Sequence, residues 1–429
     1  MTEPQSVVVS VAAQTDVGKV RQNNEDNFLL ADLTRGEYRT ATESAPAGSP
    51  VMSIEIGRHG YVAAVSDGMG GALAGEVASQ MAVQSVRAYL HKFQSIPEYH
   101  ALPFSEQFRL ALEQANKLIH RRSQSSPKFS GMGATFTGLA YYQGDAYLAQ
   151  VGDSRAYVIR GHHIAQATKD QSLVNQLIDA GYITEEQAQD HAYKNVILQA
   201  LGAQPDTVVV LDRLTIYRGD VILLCSDGLS NKVHGAALAE AVASCTDLDQ
   251  ACRTLVALAN ARGGEDNITV VLCRFSGDGL PEPPAEFSLQ LERIERDESL
   301  PAYLLPELLD ADMPSIDPLP DLDRTLSGAE FSQSPFIGPQ QMENHPSEPS
   351  GAVMSLVGAG SSGVERNIVR ILMGLMIALI IGAIMAVTWY MRVWQDRQQR
   401  PAEPVSSPMT TGSPITHPLA SWWLLCLAA

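Results

Sequence analysis

Residues 1–275 predict an α+β domain in which two antiparallel β-sheets pack face to face and helices cover their outer surfaces. Short apolar runs bounded by turn residues recur along this segment. Turn signals such as Gln143-Gly144-Asp145 and Arg160-Gly161-His162 join neighbouring runs as hairpins. Stretches of helical periodicity fall between groups of strands in series, which indicates an α+β fold, most simply two packed sheets with outer helices.

Taken in order, the strand runs are Val7 to Ala13, Tyr61 to Val65, Thr135 to Tyr142, Ala146 to Val151, Arg155 to Ile159, Val208 to Ile216, Val221 to Cys225 and Ile268 to Cys273. Gly75–Phe93, Pro103–Arg122, Ser172–Ala180 and Leu248–Ala261 carry the helical period. Residues 33–58, with Ala45-Pro46-Ala47-Gly48-Ser49-Pro50, read as a surface insertion. Five cysteines form no CxxC pair and leave an odd count, which points away from a zinc ribbon or a disulfide framework and toward a reducing compartment.

The formal net charge of −18 excludes a general nucleic-acid binder. Its distribution marks the organisation of the chain. Residues 1–275 hold 29 acids and 22 bases, whereas residues 276–366 hold 17 and 4 together with 12 of the 24 prolines. The second segment is expected to be a disordered, self-repelling linker. Ile371 to Met391 contains no charge and is flanked by Arg370 and Arg392, with Trp389, Tyr390 and Trp394 at one end. A helix apolar on every face and long enough to span about 30 Å reads as a single transmembrane helix, here residues 367–394 with flanks. Residues 395–429 form a short tail. The N-terminus carries no secretory signal, so the first 366 residues are expected in the cytoplasm and the tail outside.

Three apolar runs end alike: Val62-Ala63-Ala64-Val65 leads into Ser66-Asp67-Gly68, Leu148-Ala149-Gln150-Val151 into Gly152-Asp153-Ser154, and Val221-Ile222-Leu223-Leu224-Cys225 into Ser226-Asp227-Gly228. Glu25-Asp26 precedes one further run and Glu265-Asp266 opens another. Any one Asp-Gly after a strand is most simply a turn. Together, carboxylates converging at strand ends would repel one another and raise their pKa values unless cations sit among them. No Lys stands beside Asp67, Asp227 or Asp266, and no His/Cys cluster has zinc spacing. An all-oxygen set favours Mg²⁺ or Mn²⁺, and a binuclear site of this kind supports hydrolysis at phosphorus.

In this order and spacing, the residues resemble the metal-dependent PP2C (PPM) protein serine/threonine phosphatases, particularly bacterial members with a membrane-anchored C-terminus. The resemblance covers roughly residues 8–275 and rests on Thr15-Asp16-Val17-Gly18 with Arg21 and Asn24-Glu25-Asp26; Asp67-Gly68-Met69-Gly70-Gly71; Gly131-Met132-Gly133-Ala134-Thr135; Gly152-Asp153-Ser154-Arg155; Ser226-Asp227-Gly228-Leu229; and Gly264-Glu265-Asp266-Asn267-Ile268-Thr269. It implies two or three Mn²⁺ or Mg²⁺ ions. Asp67 would bridge two of them, with the Gly68 carbonyl on the second, while Asp227 and Asp266 complete the first. Glu25 and Asp26 would hold the second, partly through water, and Asp153 a third. Arg21 would clamp the substrate phosphate, a task suited to a bidentate guanidinium.

The implied reaction is direct attack on phosphoserine or phosphothreonine by a water bridging the metals. The implied partners are phosphorylated proteins, a cognate Ser/Thr kinase or its substrates, and membrane lipid around the one helix. Departures from the family pattern are Met69 where some members have a His, Ala134 for Thr, Gln171 for His and Gln199 for Arg. None removes a carboxylate; they touch the leaving-group acid and the variable region 165–195. An inactive phosphoprotein-binding scaffold is the alternative reading, and a phosphatase governed by a partner-switching cascade is a third.

Overall fold

The computed structural model describes residues 6–41, 51–189 and 191–297. The expected membrane span at 367–394, the tail at 395–429 and most of the linker lie outside these residues. Among the described residues no helix is long and apolar enough to cross a membrane.

Two antiparallel sheets form the centre, as the hairpin signals predicted. The first runs β10 (His163–Gln166), β9 (Arg155–Arg160), β12 (Val221–Cys225), β13 (Ile268–Ser276), β1 (Val8–Asp16) and β4 (Met52–Glu55). The second runs β14 (Leu291–Arg293), β11 (Val210–Leu214), β8 (Asp145–Val151), β7 (Phe136–Tyr142), β5 (Tyr61–Met69), β2 (Asp26–Asp32) and β3 (Glu37–Thr40), with the short β6 (Gly133–Ala134) beside β5. Helices α1 (Ala72–Ser95) and α2 (Phe104–Ser125) cover the second sheet. The first sheet is covered by α6 (Ala236–Ala243) and α7 (Leu248–Ala261). The remaining short helices, α3 (Leu173–Asp179), α4 (Glu185–Gln189) and α5 (Asp227–Ser230), lie in connections.

The central strands read as unbroken apolar runs because both of their faces are buried. On β5, Val62 and Ala64 face the helices while Tyr61, Ala63 and Val65 enter the space between the sheets. On β13, Val270 and Leu272 face α7, whereas Val271, Cys273 and Phe275 meet the other sheet. The β7–β8 hairpin closes through two residues, Gln143 at φ 49° and Gly144 at φ 95°. Left-handed backbone at both positions is the geometry that matches strand twist, and glycine takes it without steric cost. Asp247 caps α7, its carboxylate accepting from the Gln250 amide at 2.7 Å.

Two organisational expectations change. The segment 33–58 is more than a surface insertion, since β3 and β4 extend one edge of each sheet. The chain expected to leave the domain at 276 stays on it through residue 297: Phe287 and Leu289 pack on the inter-sheet core, and β14 pairs with β11 in the register Asp212↔Arg293. Polar composition concealed this, because the strap is held chiefly by arginines. Buried Arg109 donates to the Val209 carbonyl at 2.9 Å and the Ile294 carbonyl at 2.6 Å, with Glu106 beside it at 3.4 Å. Arg293 pairs with Asp212 at 2.7 Å. Arg109→Ala should therefore destabilise the domain by roughly 3–5 kcal/mol, the range for stranding one partner of a buried ion pair. Urea titration of both proteins measures it; a difference below about 1 kcal/mol would mean that the staple is dispensable.

Candidate active site

The topology explains why the acidic residues meet. Strands β5, β8 and β12 run toward one end of the sandwich, where Asp67, Asp153 and Asp227 follow or close them. Strand β2 is antiparallel to β5 and begins at that end, placing Asp26 opposite Asp67. Strand β13 is antiparallel to β12 and begins there too, just after Asp266. Five carboxylates from two sheets thus face one another at the seam of the sandwich.

A buried hydroxyl network sets their positions. Ser226 Oγ donates to Asp26 Oδ2 at 2.6 Å and accepts from the Thr269 amide at 2.9 Å, tying the sheets together. Thr135 Oγ1 accepts from the Asp67 amide at 2.9 Å, and the Asp67 carbonyl accepts from the Thr135 amide at 2.8 Å. Asn267 receives the Glu25 amide at 2.8 Å and donates to the carbonyls of Val17 and Asn23, fastening the 17–25 loop to the start of β13. Gln171, one of the departures from the family pattern, accepts from the Gly152 amide at 2.8 Å and so holds the turn that presents Asp153.

Close backbone approach completes the site. A Cβ on Gly68 would lie 2.0 Å from the Gly75 carbonyl oxygen, and one on Gly75 would lie 1.9 Å from Glu25 Oε2. The first turn of α1 therefore leaves room for the Glu25 carboxylate only because residue 75 has no side chain. Gly75→Ala should displace Glu25 while leaving the rest of the fold in place. A Mn²⁺ titration by calorimetry is expected to show roughly tenfold or greater weakening, in line with losses from disturbed ligand support; unaltered affinity would remove Glu25 from the set.

The carboxylates resist ionisation. Asp67 is pushed well above the usual range, first by burial and then by Asp26, Asp227, Asp153 and Asp266. Burial also dominates in raising Asp26 to about 7, partly offset by hydrogen bonds from Ser226 and Thr269. Asp153 rises to about 8 through burial and then Asp227. Asp227 rises to about 6 through burial and Asp266, while a hydrogen bond with Asp67 pulls it back. Glu25 is raised mainly by burial, with Asp266 and Glu76 adding to it and Arg21 opposing.

Arg21 grips Asp266 with two contacts of 2.9 Å, through Nη2 and Nε, and about half of its side chain remains exposed. The acids singled out from the sequence and Arg21 thus lie at the same end of the sandwich. Sequence reasoning gave no role to Ser226, Thr135, Asn267, Gly75 or Glu76; the first three act through small buried hydrogen bonds that leave no periodic signal.

Three buried carboxylate oxygens, Asp26 Oδ1, Asp153 Oδ1 and Asp227 Oδ1, have no hydrogen-bond partner. Orphaned anionic oxygens at mutually repelling carboxylates fit a hard divalent cation. Among the described residues, no three His, Cys, Asp or Glu side chains are gathered tightly enough to hold one ion as they stand. Like-charge repulsion and the capture of Asp266 by Arg21 both act against that gathering. A cleft of about 690 Å³ opens beside Asp153 and Asp227, lined also by Arg155, Asp170, Asn231 and His234. Arg155 is held there by Asp170, with contacts of 2.6 to 3.0 Å.

The fold brings an acidic cluster to the seam of two sheets, and comparison with known proteins specifies the class. The family model for protein phosphatase 2C matches residues 52–266, and the chain belongs to that family. It is similar to the serine/threonine phosphatase stp of Listeria monocytogenes, 34% identical over 263 residues that span 60% of this chain and 93% of the relative. Protein phosphatase PhpP of Streptococcus pneumoniae is 35% identical over 266 residues, 62% of this chain and 96% of its own. Among solved structures, the Mycobacterium tuberculosis serine/threonine phosphatase PstP/Ppp superposes with a TM-score of 0.50 at 32% identity, covering 62% of this chain and 98% of that one. The chain is accordingly an enzyme, a protein phosphatase.

Proposed function

We propose that this enzyme removes phosphate from phosphoserine and phosphothreonine in proteins at a site for two Mn²⁺ or Mg²⁺ ions, with a looser third at Asp153. The observation that carries the reading is the set of orphaned oxygens on Asp26, Asp153 and Asp227 converging with Asp67 and Asp266 at the sheet seam. Asp67, Asp227, Asp266, Glu25 and Asp26, with the Gly68 carbonyl, would hold the two ions. Bound cations supply Lewis acidity and allow water to attack phosphorus directly near neutral pH.

The chain's own residues do the rest. Ser226 and Thr135 fix Asp26 and the backbone of Asp67 through hydrogen bonds. Arg21 presents its guanidinium at the rim, half exposed, where it can take two phosphate oxygens once it leaves Asp266. Cys225 is not poised as a covalent nucleophile, since it is buried within β12 and burial pushes its thiol up to about 12. The cleft beside Asp153 offers room for the peptide flanking the phosphorylated residue.

Residues 367–394 would hold the enzyme in the membrane as one helix, with the catalytic domain cytoplasmic, the tail outside and a membrane Ser/Thr kinase as the opposing enzyme. The uncharged run from Ile371 to Met391 between arginines supports this part. The decisive experiment is release of phosphate from a phosphothreonine peptide by the full chain, with Mn²⁺ and with EDTA. Activity that survives EDTA would overturn the metal assignment. Extraction of the protein from membranes by alkaline carbonate would overturn the anchor.

A further inference from the structure

At the end of the sandwich opposite the carboxylates lies a cavity of about 760 Å³, roomier than the cleft beside Asp153. Strand β5 connects the two ends, with about 20 Å of extended chain separating Tyr61 from Asp67. One wall of the cavity is aromatic: Phe104 stacks on Tyr142 at 4.5 Å and 11° and meets Tyr147 at 5.7 Å. The other wall carries Arg58, His59 and His100. Arg58 is exposed and forms no ion pair or hydrogen bond among the described residues. The one acid of the lining, Asp145, is already engaged by Tyr147 Oη at 3.4 Å and faces Arg213 at 3.9 Å.

In a chain of net charge −18, the unpaired Arg58 faces an aromatic wall, and the chain itself carries the complement. Arg296, near the end of the strap, is paired with Glu113 on α2 at 2.7 Å. Gln107, which lines the cavity, is on the same helix about 9 Å away by helical rise. The residues that follow the strap, 298–323, contain seven acids, seven leucines and no Lys or Arg. Their charge, their apolar content and their point of departure all match the cavity.

We propose that residues 298–323 dock in this cavity, with leucine side chains against Phe104, Tyr142 and Tyr147 and a carboxylate on Arg58. Docking there anchors the start of the tether on the face away from the carboxylate site and leaves the substrate cleft open. The inference does not depend on the metal assignment.

The test uses the full chain, purified in mild detergent, with Ala101→p-benzoylphenylalanine at the exposed rim of the cavity. Irradiation is expected to give cross-links at the mass of a single chain that map to residues 298–323. Adding Arg58→Glu should lower their yield at least fivefold, and Arg58→Gln at least twofold. Both variants should keep the parent's melting temperature and its hydrolysis of p-nitrophenyl phosphate. Links that map elsewhere, links at the mass of two chains, or a yield indifferent to Arg58 would each overturn the proposal.

Discussion

Asp67→Asn is expected to lower Mn²⁺-dependent hydrolysis of a phosphothreonine peptide by about a thousandfold or more, the scale on which loss of a charge-stabilising group at a reacting centre is felt. The same substitution should raise the melting temperature of the metal-free protein at pH 8. Asp67 faces four other carboxylates, and its ionisation in the folded state is opposed by burial and by all four. Asparagine keeps the shape without the charge, so the fold gains what the active site loses. In a domain of this size each kcal/mol moves the melting temperature by about 2–4 °C, which differential scanning fluorimetry resolves. Wild-type activity in the variant would sink the assignment of Asp67; loss of activity with a lowered melting temperature would show that its role is structural.

The pH dependence of metal stabilisation gives the second large effect. An aspartate titrates near 3.9 in the unfolded chain. In the folded protein Asp227 is raised to about 6, Asp26 to about 7 and Asp153 to about 8. The native state therefore binds more protons than the unfolded state between roughly pH 4 and 8, and stability of the metal-free protein must fall as pH rises through that window. Cations reverse the sign by neutralising the ionised carboxylates. At a hundredfold excess over Kd they should add about 2.7 kcal/mol. The increment in melting temperature on adding Mn²⁺ should be small at pH 5 and grow steadily to pH 8. A flat increment would mean that the ions bind away from these aspartates.

Much of the active site was legible before the fold was seen, for a physical reason. Antiparallel pairing sends alternate strand ends to one face, so acids after Val65, Val151 and Cys225 had to meet acids before Phe28 and Ile268. The sheets were legible through their unbroken apolar runs, since burial on both faces leaves no alternation to misread. What stayed hidden relies on single contacts. The strap beyond residue 276 is polar and proline-rich, and among the contacts that fix it to the domain the buried guanidinium of Arg109, donating to Val209 and Ile294, leaves no periodic signal. Ser226 was visible as part of an Asp-Gly turn, but its hydroxyl bridges strands far apart in sequence, to Asp26 and Thr269. Gly75 read as an ordinary helix start; its need to be small depends on the position of Glu25.

On the proposed roles, the pairing of Arg21 with Asp266 would impose an order of assembly on the enzyme. While the guanidinium is clasped by that carboxylate, its two best-directed N–H groups are occupied, and phosphate must compete with an internal rival. If Asp266 serves a cation as proposed, Arg21 would lose this partner and its guanidinium would be free for phosphoryl oxygens. Inorganic phosphate, the product, should consequently compete well against substrate in the loaded enzyme and bind poorly to the stripped one, so that the cation gates recognition as well as chemistry.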